Sequence, residues 1–275
     1  MPTAKLVNAL SMTDPAAAPA SKIPYRLALA GGWIDQPFLS RLNPQPPGSM
    51  VVVSLEPVHA FMDRCGMATS TRKIAARLWP GGLPEGDPAA LVRQLYDLEN
   101  RDRPEPSGSQ DMAGLIYPGV SRLDYDYRFE GGCFPCNVES NNDPQVASWL
   151  ESVIHVVPVA PRPDGYGPLG IKNLDEGWVL RLGQSGRHCY NAILKMDTAA
   201  LGASMNECML CWETLLPHTV VHPSLKVDLK ALLAYYQAHY AGAMYSGCGG
   251  GYLFVVSEGE VQDSFRVKTR LKRDR

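Results

Sequence analysis

The sequence has almost no net charge and no long apolar run. Its 26 lysine and arginine residues nearly balance its 28 aspartate and glutamate residues, which leaves a formal net charge of -2. Domains that bind nucleic acid usually carry a clear basic excess, so this balance argues against nucleic acid as a partner. No segment approaches the roughly 18 consecutive apolar residues of a membrane span, and the run Leu6–Leu10 is too brief for a signal peptide. We therefore expect a cytoplasmic protein that has no membrane partner.

The cysteine content does not indicate a disulfide framework, because the chain has seven cysteines, an odd number. Two pairs, Cys133 with Cys136 and Cys208 with Cys211, have the C-x-x-C spacing of zinc ligands. The second pair falls in a predicted amphipathic helix, where Cys208 lies on the apolar face as a small hydrophobe. The first pair falls in a loop, where a redox pair is a further alternative. A zinc-stapled interaction protein is thus an alternative interpretation, but not the favoured one.

The composition predicts a well-packed protein. Hydrophobic residues make up 45% and charged residues 20% of the 275 residues, which suits one large domain or two packed lobes. Residues 1–22, rich in alanine, proline and serine, are predicted to form a mobile leader. An N-terminal lobe is expected over residues 23–150 and a C-terminal lobe over residues 151–275. The basic stretch Arg266–Arg275 is predicted to be a solvated tail.

Strand and helix patterns alternate along the chain. Asp87 is the predicted N-cap of one helix and Asp197 of another. The interleaving indicates the α/β (α+β) class, with mixed sheets packed against helices. Strands are predicted at 25–30, 50–55, 123–129, 153–159, 243–245 and 252–256, and helices at 66–79, 88–100, 197–215 and 223–241.

A first glycine segment follows the predicted strand that contains Arg26. Gly31 and Gly32 allow a tight turn and a close approach of the backbone to a ligand. Asp35, four residues past the first glycine, would project from this turn and accept hydrogen bonds from substrate hydroxyls. For this segment alone, an ordinary turn with a solvated aspartate is the preferred interpretation.

A second segment, Cys65 to Lys73, contains one glycine followed by three hydroxyl residues at the start of a predicted helix. Unpaired backbone amides at a helix N-terminus suit a phosphate. The hydroxyls could cap those amides, contact phosphate oxygens or ligate Mg²⁺. A serine- or threonine-capped helix start is the more common explanation when the segment is taken alone. The spacing of a Walker A loop is absent.

A third segment, Ser246–Gly251, lies between two predicted strands and has four glycines in five residues. Glycine weakens a strand, so this density indicates that the backbone passes against a ligand or another chain segment. Of the three segments, it is the one for which a functional interpretation is favoured.

Taken in order, these segments resemble the motifs of the GHMP kinases, small-molecule kinases that include galactokinase and mevalonate kinase. The heptose and fucose kinase branch is the most similar, since its first motif, R-x-S-F-x-G-G-G-T-D, shares the arginine, two glycines and aspartate of the first segment. The family phosphate loop G-L-G-S-S aligns with Gly66–Ser70, and the closing S-G-A-G-G-G with Ser246–Gly251. A G-x-Q-D motif, which carries the family's catalytic aspartate, is present as Gly108–Asp111. The helix motif M-N-E is present at Met205–Glu207.

The resemblance implies a two-lobed GHMP-kinase-like fold and an ATP- and Mg²⁺-dependent kinase that phosphorylates a hydroxyl of a sugar or a sugar phosphate. Asp111 would be the catalytic base, and Arg26 would stabilise developing charge or hold Asp111 ionised. The other implied site residues bind substrate (Asp35, Gly31, Gly32, Gly249, Gly250), bind nucleotide (Gly66, Met67, Ala68, Thr69, Ser70, Thr71) or ligate magnesium (Ser70).

The sequence departs from the family pattern at two points. Gly31 and Gly66 are 35 positions apart, a much shorter interval than is typical, which predicts a shortened N-terminal lobe. Ala68 stands where the phosphate loop usually has a glycine, and its Cβ limits the approach of a phosphate. These departures favour an alternative, a non-catalytic GHMP-like sugar-binding protein that has lost nucleotide turnover. The sequence does not identify the sugar, and a homodimer is compatible with it.

Overall fold

A computed structural model describes residues 21–103 and 106–272 of the chain. Residues 1–20, most of the predicted leader, lie outside the described residues. Over the described ranges, none of the helices combines the length and the apolar character that crossing a membrane requires. The elements are β1 (Tyr25–Ala28), α1 (Pro37–Ser40), β2 (Gly48–Leu55), α2 (Thr69–Leu78), α3 (Pro88–Asn100), α4 (Gln110–Ile116), β3 (Val120–Tyr125), β4 (Asn137–Asn141), α5 (Pro144–Val153), β5 (Ile154–Ala160), α6 (Glu176–Leu194), α7 (Thr198–Leu215), α8 (Leu229–His239), β6 (Gly242–Gly247) and β7 (Gly250–Val256).

The strands form two sheets, in the orders β1-β2-β3-β4 and β5-β7-β6. Helices pack against both sheets, with α6 on β2 and α7 on β6, which confirms the predicted α/β class. Mixed sheets were expected, whereas every strand pair in the described part of the chain is antiparallel. In the β6–β7 pair the antiparallel arrangement needs only a tight connection, here Cys248-Gly249.

Aspartate N-caps determine where several helices begin. The Asp87 carboxylate accepts hydrogen bonds from two backbone amides in the first turn of α3, at 3.1 and 3.3 Å, so the helix begins at Pro88 as predicted. Asp228 caps α8 in the same way. That helix therefore begins at Leu229 and not at Pro223, where the apolar pattern placed its start.

Strand β3 is shorter than its sequence pattern indicates. It ends at Tyr125, although the alternation continues to Phe129. Asp126 turns the chain, since its carboxylate accepts a hydrogen bond from the Arg128 backbone amide at 3.0 Å. The last two aromatic residues of the pattern, Tyr127 and Phe129, consequently lie in a loop and are exposed.

Helix α6 has no counterpart among the sequence predictions. Gly183 and Gly186 lie on the face that contacts β2, where a Cβ on Gly186 would overlap the carbonyl oxygen of Ser49. Glycine lowers helix propensity, which obscures the helix in the sequence, but here it lets α6 lie directly on the strand backbone. A helix from the C-terminal half thus covers the N-terminal sheet. The expected lobe boundary at residue 150 falls inside α5, and the division into two lobes stays a prediction.

The prediction that the basic C-terminal stretch is a solvated tail is wrong for its described part, residues 266–272. Phe265 pairs with Val156 of β5, and Thr269 pairs with Leu55 of β2, so this stretch runs along both sheets. Arg270 donates hydrogen bonds into the N-terminal half, to the Ile116 carbonyl at 2.8 Å among others. The basic residues of this stretch predicted exposure to solvent, but the Arg270 side chain donates hydrogen bonds to carbonyl groups at the end of α4.

Candidate functional site

Arg26 connects two of the predicted site segments. This residue lies on β1 and is 4% exposed. Its guanidinium forms an ion pair with the Asp111 carboxylate and donates a hydrogen bond to the Gly66 carbonyl at 3.3 Å. Burial lowers the pKa of Arg26 to about 10, so the side chain remains cationic at neutral pH. The predicted catalytic pair and the predicted phosphate loop therefore meet at one guanidinium group.

Asp111 is accessible as well as anchored. It is the second residue of α4, and its side chain is 33% exposed. One oxygen is held by the buried guanidinium of Arg26, which fixes the orientation of the carboxylate. A carboxylate that is fixed on one side and open on the other can reach the hydroxyl of a bound acceptor, as a general base must.

The late glycine segment packs directly against the predicted phosphate loop. Gly66 has a left-handed φ of 74°, and a Cβ there would overlap the Ser246 carbonyl group. The Ser246 hydroxyl donates a hydrogen bond to the Cys65 carbonyl at 2.6 Å. A Cβ on Gly251 would overlap that same carbonyl. The backbone of the glycine segment thus passes against another chain segment, as its composition predicts.

Helix α2 begins next to this contact and offers backbone amides to an anion. Ala68, immediately before it, has a left-handed φ of 54° and makes no side-chain capping hydrogen bond. The first-turn amides therefore carry partial positive charge without a cap from that residue. Ser70 is exposed, whereas Thr69 and Thr71 are buried. Met67 is fully buried in the core, so a nucleotide could contact that residue only through its backbone.

Ser70, the predicted magnesium ligand, lies in the first turn of α2 and is exposed. Among residues 21–103 and 106–272, no three His, Cys, Asp or Glu side chains are grouped as a metal site. Mg²⁺ is usually bound by one or two carboxylates together with substrate phosphates and water. The exposed Ser70 hydroxyl is accessible to such a partly hydrated ion, and its role as a magnesium ligand stays a prediction.

Asp35 lies beneath the site and not at its surface. The residue is fully buried, and a Cβ on Gly108 would overlap its Oδ2 atom. Its Oδ1 accepts a hydrogen bond from Gln110 Nε2 at 3.3 Å, whereas Oδ2 has no partner among the described residues. Burial raises the pKa of the Asp35 carboxyl to about 6. In this arrangement Asp35 supports the start of α4, and its predicted contact with a substrate hydroxyl stays a prediction.

Gly31 and Gly32, also predicted to bind substrate, are buried in the packing between β2 and α7. A Cβ on Gly31 would overlap the backbone of β2. The indole of Trp212 donates a hydrogen bond to the Gly32 carbonyl at 3.0 Å, and the Gly31 amide donates one to the Cys208 sulfur at 3.3 Å. The tight turn expected from the paired glycines is present, and β2 and α7 pack against it.

Tyr166 covers Gly249, one of the two late glycines predicted to bind substrate. A Cβ on Gly249 would lie 2.7 Å from the Tyr166 ring, so the ring rests on the glycine backbone. The Tyr166 hydroxyl donates a hydrogen bond to the His218 carbonyl at 2.7 Å. Gly250 faces the end of β5 and Leu229 of α8. The binding roles of both glycines stay predictions.

Arg162 is the site residue that the sequence reasoning missed. It follows β5, and its Nη2 lies 2.9 Å from the position that a Cβ on Gly247 would occupy. The same Cβ position is 2.9 Å from the Gly66 Cα atom, so Arg162 reaches the junction of the loop and the glycine segment. The available signal was an arginine between two prolines, directly after a strand.

The two C-x-x-C pairs lie in different surroundings. Cys208 and Cys211 are buried in α7, and burial raises the pKa of the Cys208 thiol to about 12. Cys136 is exposed near the start of β4. Since no group of three metal-ligating side chains is found in the described ranges, the structure gives no support to a four-cysteine zinc site.

The fold is similar to that of solved GHMP-family kinases. A D-glycero-D-manno-heptose 1-phosphate kinase from Bacteriodes thetaiotaomicron superposes with a TM-score of 0.53 at 12% identity, over 90% of this chain and 96% of that one. The mevalonate kinase of Methanococcus jannaschii superposes with a TM-score of 0.58 at 11% identity, over 91% and 97% of the two chains. A further mevalonate kinase has a TM-score of 0.59 at 11% identity, over 91% and 98%. The chain therefore has the GHMP-kinase fold, as its motifs predict.

No protein-family model and no curated protein matches the sequence.

Proposed function

We propose that this protein is an ATP- and Mg²⁺-dependent kinase that phosphorylates a hydroxyl of a sugar or a sugar phosphate. Asp111 acts as the general base. The observation that carries the proposal is the Arg26 guanidinium, which contacts both the Asp111 carboxylate and the Gly66 carbonyl. These groups come from three segments that are far apart in sequence, and the chemistry of phosphoryl transfer requires a base and an anion-binding loop side by side.

ATP supplies the transferable phosphoryl group, and Mg²⁺ offsets the negative charge of its phosphates. The backbone amides in the first turn of α2, with the Ser70 hydroxyl, bind phosphate oxygens. Asp111 accepts the proton of the acceptor hydroxyl as that oxygen attacks. Arg26 holds the Asp111 carboxylate in place and offsets the charge that builds up beside Gly66.

A sugar-type acceptor is supported by the shared fold together with the name of one neighbour, a heptose 1-phosphate kinase. Asp35 remains a candidate for a substrate hydroxyl, provided that the loop containing Gly108 moves away from it. Without such a movement, Asp35 affects the reaction only by holding Gln110 at the start of α4, the helix that contains Asp111.

The alternative function is binding of a sugar without nucleotide turnover. It is favoured by the connection between β2 and α2, residues 56–68, which contains no assigned helix or strand to enclose an adenine ring. The Cβ of Ala68 also limits how closely a phosphate can approach the loop.

The two functions are separated by a coupled assay of ADP release over a panel of sugars and sugar phosphates. We expect turnover with at least one acceptor, and a fall in kcat of roughly a thousandfold in Asp111→Asn, which keeps the shape of the side chain. Asp97→Asn, on an exposed position of α3, is the matched control and should turn over normally. No ADP release with any acceptor, together with no ATP binding by calorimetry, would refute the kinase proposal, and binding of a sugar in the same calorimetry would then establish the alternative.

A further inference from the structure

A proline-rich segment crosses the site after β5. Residues Pro161–Tyr166, here called the strap, are fixed to the segment before the phosphate loop through Arg64. The Arg162 amide donates a hydrogen bond to the Arg64 carbonyl at 3.3 Å. The Arg64 side chain donates one to the Pro163 carbonyl at 2.8 Å and forms an ion pair with Asp164. At the other end of the strap, the Tyr166 hydroxyl donates a hydrogen bond to the His218 carbonyl. The strap is thus held on both sides of the glycine segment.

The strap places the Arg162 guanidinium at the junction of Gly66 and Gly247. No carboxylate in the described parts of the chain lies within ion-pair distance of this side chain. Its Nε atom is buried and has no hydrogen-bond partner there either. A desolvated guanidinium donor without an acceptor is costly, so the geometry calls for an acceptor that the chain does not itself provide.

The buried cation Arg26 lies close to the half-buried Arg162. Arg162 is near enough to Arg26 to oppose its positive charge electrostatically. Arg26 already forms an ion pair with Asp111, and one oxygen of the nearby Asp35 carboxylate accepts a hydrogen bond from Gln110. Arg26 and Arg162 therefore both lie at the junction of Gly66 and Gly247, and Arg162 has no acidic partner among the described residues. This arrangement favours an anion bound between the two arginines.

We propose that Arg162 and Arg26 form an oxyanion site at the junction of Gly66 and Gly247, and that this site binds a phosphoryl group of the reacting molecules. The inference rests on the proposed kinase function. The bound group is either the terminal phosphate of the nucleotide or a phosphate carried by the acceptor, since a guanidinium recognises both in the same bidentate way.

The test measures binding to the full chain by calorimetry, with inorganic phosphate, pyrophosphate and glucose 6-phosphate as probes. The wild type is compared with Arg162→Gln, Arg162→Lys and a control, Arg128→Gln, which removes an exposed arginine from the loop after β3. We expect Arg162→Gln to bind at least one probe tenfold or more weakly than the wild type. Arg162→Lys should lie between them, because it keeps the charge and loses the planar fork, and Arg128→Gln should match the wild type.

The probes also distinguish the two sources of the phosphate. A loss confined to pyrophosphate assigns the site to the nucleotide, whereas a loss confined to glucose 6-phosphate assigns it to the acceptor. The inference is overturned when the wild type binds none of the probes, or when Arg162→Gln and Arg162→Lys both bind them as tightly as the wild type. Failure of the kinase proposal appears separately, as absence of ADP release from the wild type, because these binding measurements need no turnover.

Discussion

The side chain of Arg26 crosses α4 at Gly114 before it reaches Asp111. A Cβ on Gly114 would overlap the Arg26 Cγ atom, so the helix lies directly on the aliphatic part of the arginine. The closeness of β1 and α4 at this point allows a buried guanidinium on the strand to orient a carboxylate on the helix. Because Gly114 has no side chain, Arg26 can pass close to α4 and hold the Asp111 carboxylate.

Gly114→Ala should push α4 away from β1. Although alanine favours a helix over glycine, the overlap with Arg26 should cost about 1–3 kcal/mol of stability, measured by urea unfolding. In an active preparation we expect kcat to fall roughly a hundredfold, because a shift of about 1 Å misplaces the base. Gly81→Ala is the control, since a Cβ there meets nothing within 4 Å. A variant as stable and as active as the wild type would show that the contact does not position Asp111.

Ala68 occupies a backbone conformation that suits glycine. Replacing a buried alanine by glycine usually costs about 1 kcal/mol, but at a left-handed φ of 54° the relief of strain offsets that loss. We therefore expect Ala68→Gly to be as stable as the wild type or up to about 1 kcal/mol more stable in urea unfolding. Ala75→Gly, at a fully buried position within α2, is the comparison and should lose about 1 kcal/mol. Equal losses in both variants would contradict the prediction.

Asp35 should make stability depend on pH in an unusual direction. Its pKa is raised by burial to about 6 from an ordinary value of 3.8, so between these values the folded state binds more protons than the unfolded state. The contribution of Asp35 to the free energy of unfolding therefore decreases as pH rises from about 4 to about 6. Asp35→Asn cannot ionise and should lack this decrease, which is on the order of 2–3 kcal/mol.

The measurement is urea unfolding of wild type and Asp35→Asn, followed by tryptophan fluorescence at several values between about pH 4 and 7. The free-energy difference between the two proteins should shift in favour of the asparagine variant as pH rises. Asp97→Asn serves as the exposed control and should follow the wild-type profile. Parallel profiles for wild type and Asp35→Asn would exclude a titration of Asp35 in this range.

Arg270 should stabilise the helix that carries Asp111. Its Nη2 donates to the carbonyls of Leu115 and Ile116, at 3.2 and 2.8 Å, and its Nε donates to the Ser54 hydroxyl at 2.9 Å. Arg270→Met removes these donors and leaves partly buried acceptors, so we expect a loss of about 1–3 kcal/mol in urea unfolding. Lys272→Met, at an exposed position nearby, should change stability by less than about 0.5 kcal/mol. Similar values for both variants would mean that the C-terminal segment contributes little.

Local patterns in the sequence determined much of the fold. The cap at Asp87 predicted the start of α3, because a capping carboxylate acts within one helical turn. The order of the glycine motifs predicted the GHMP-kinase fold, and the density of glycine in Ser246–Gly251 predicted close contact with another segment. Helix α6 escaped prediction, because Gly183 and Gly186 serve its contact with β2 and weaken its helical pattern.

The tertiary structure alone decided which of the predicted site residues are exposed and which are buried. Asp35 lies beneath Gly108, Tyr166 rests on Gly249, and Arg162 reaches Gly66 from a strap almost a hundred residues further along the chain. A sequence records what each segment prefers locally, whereas burial depends on which distant segment packs over it. The residue types of the site could therefore be predicted from the sequence, whereas their exposure, partners and charge balance could not.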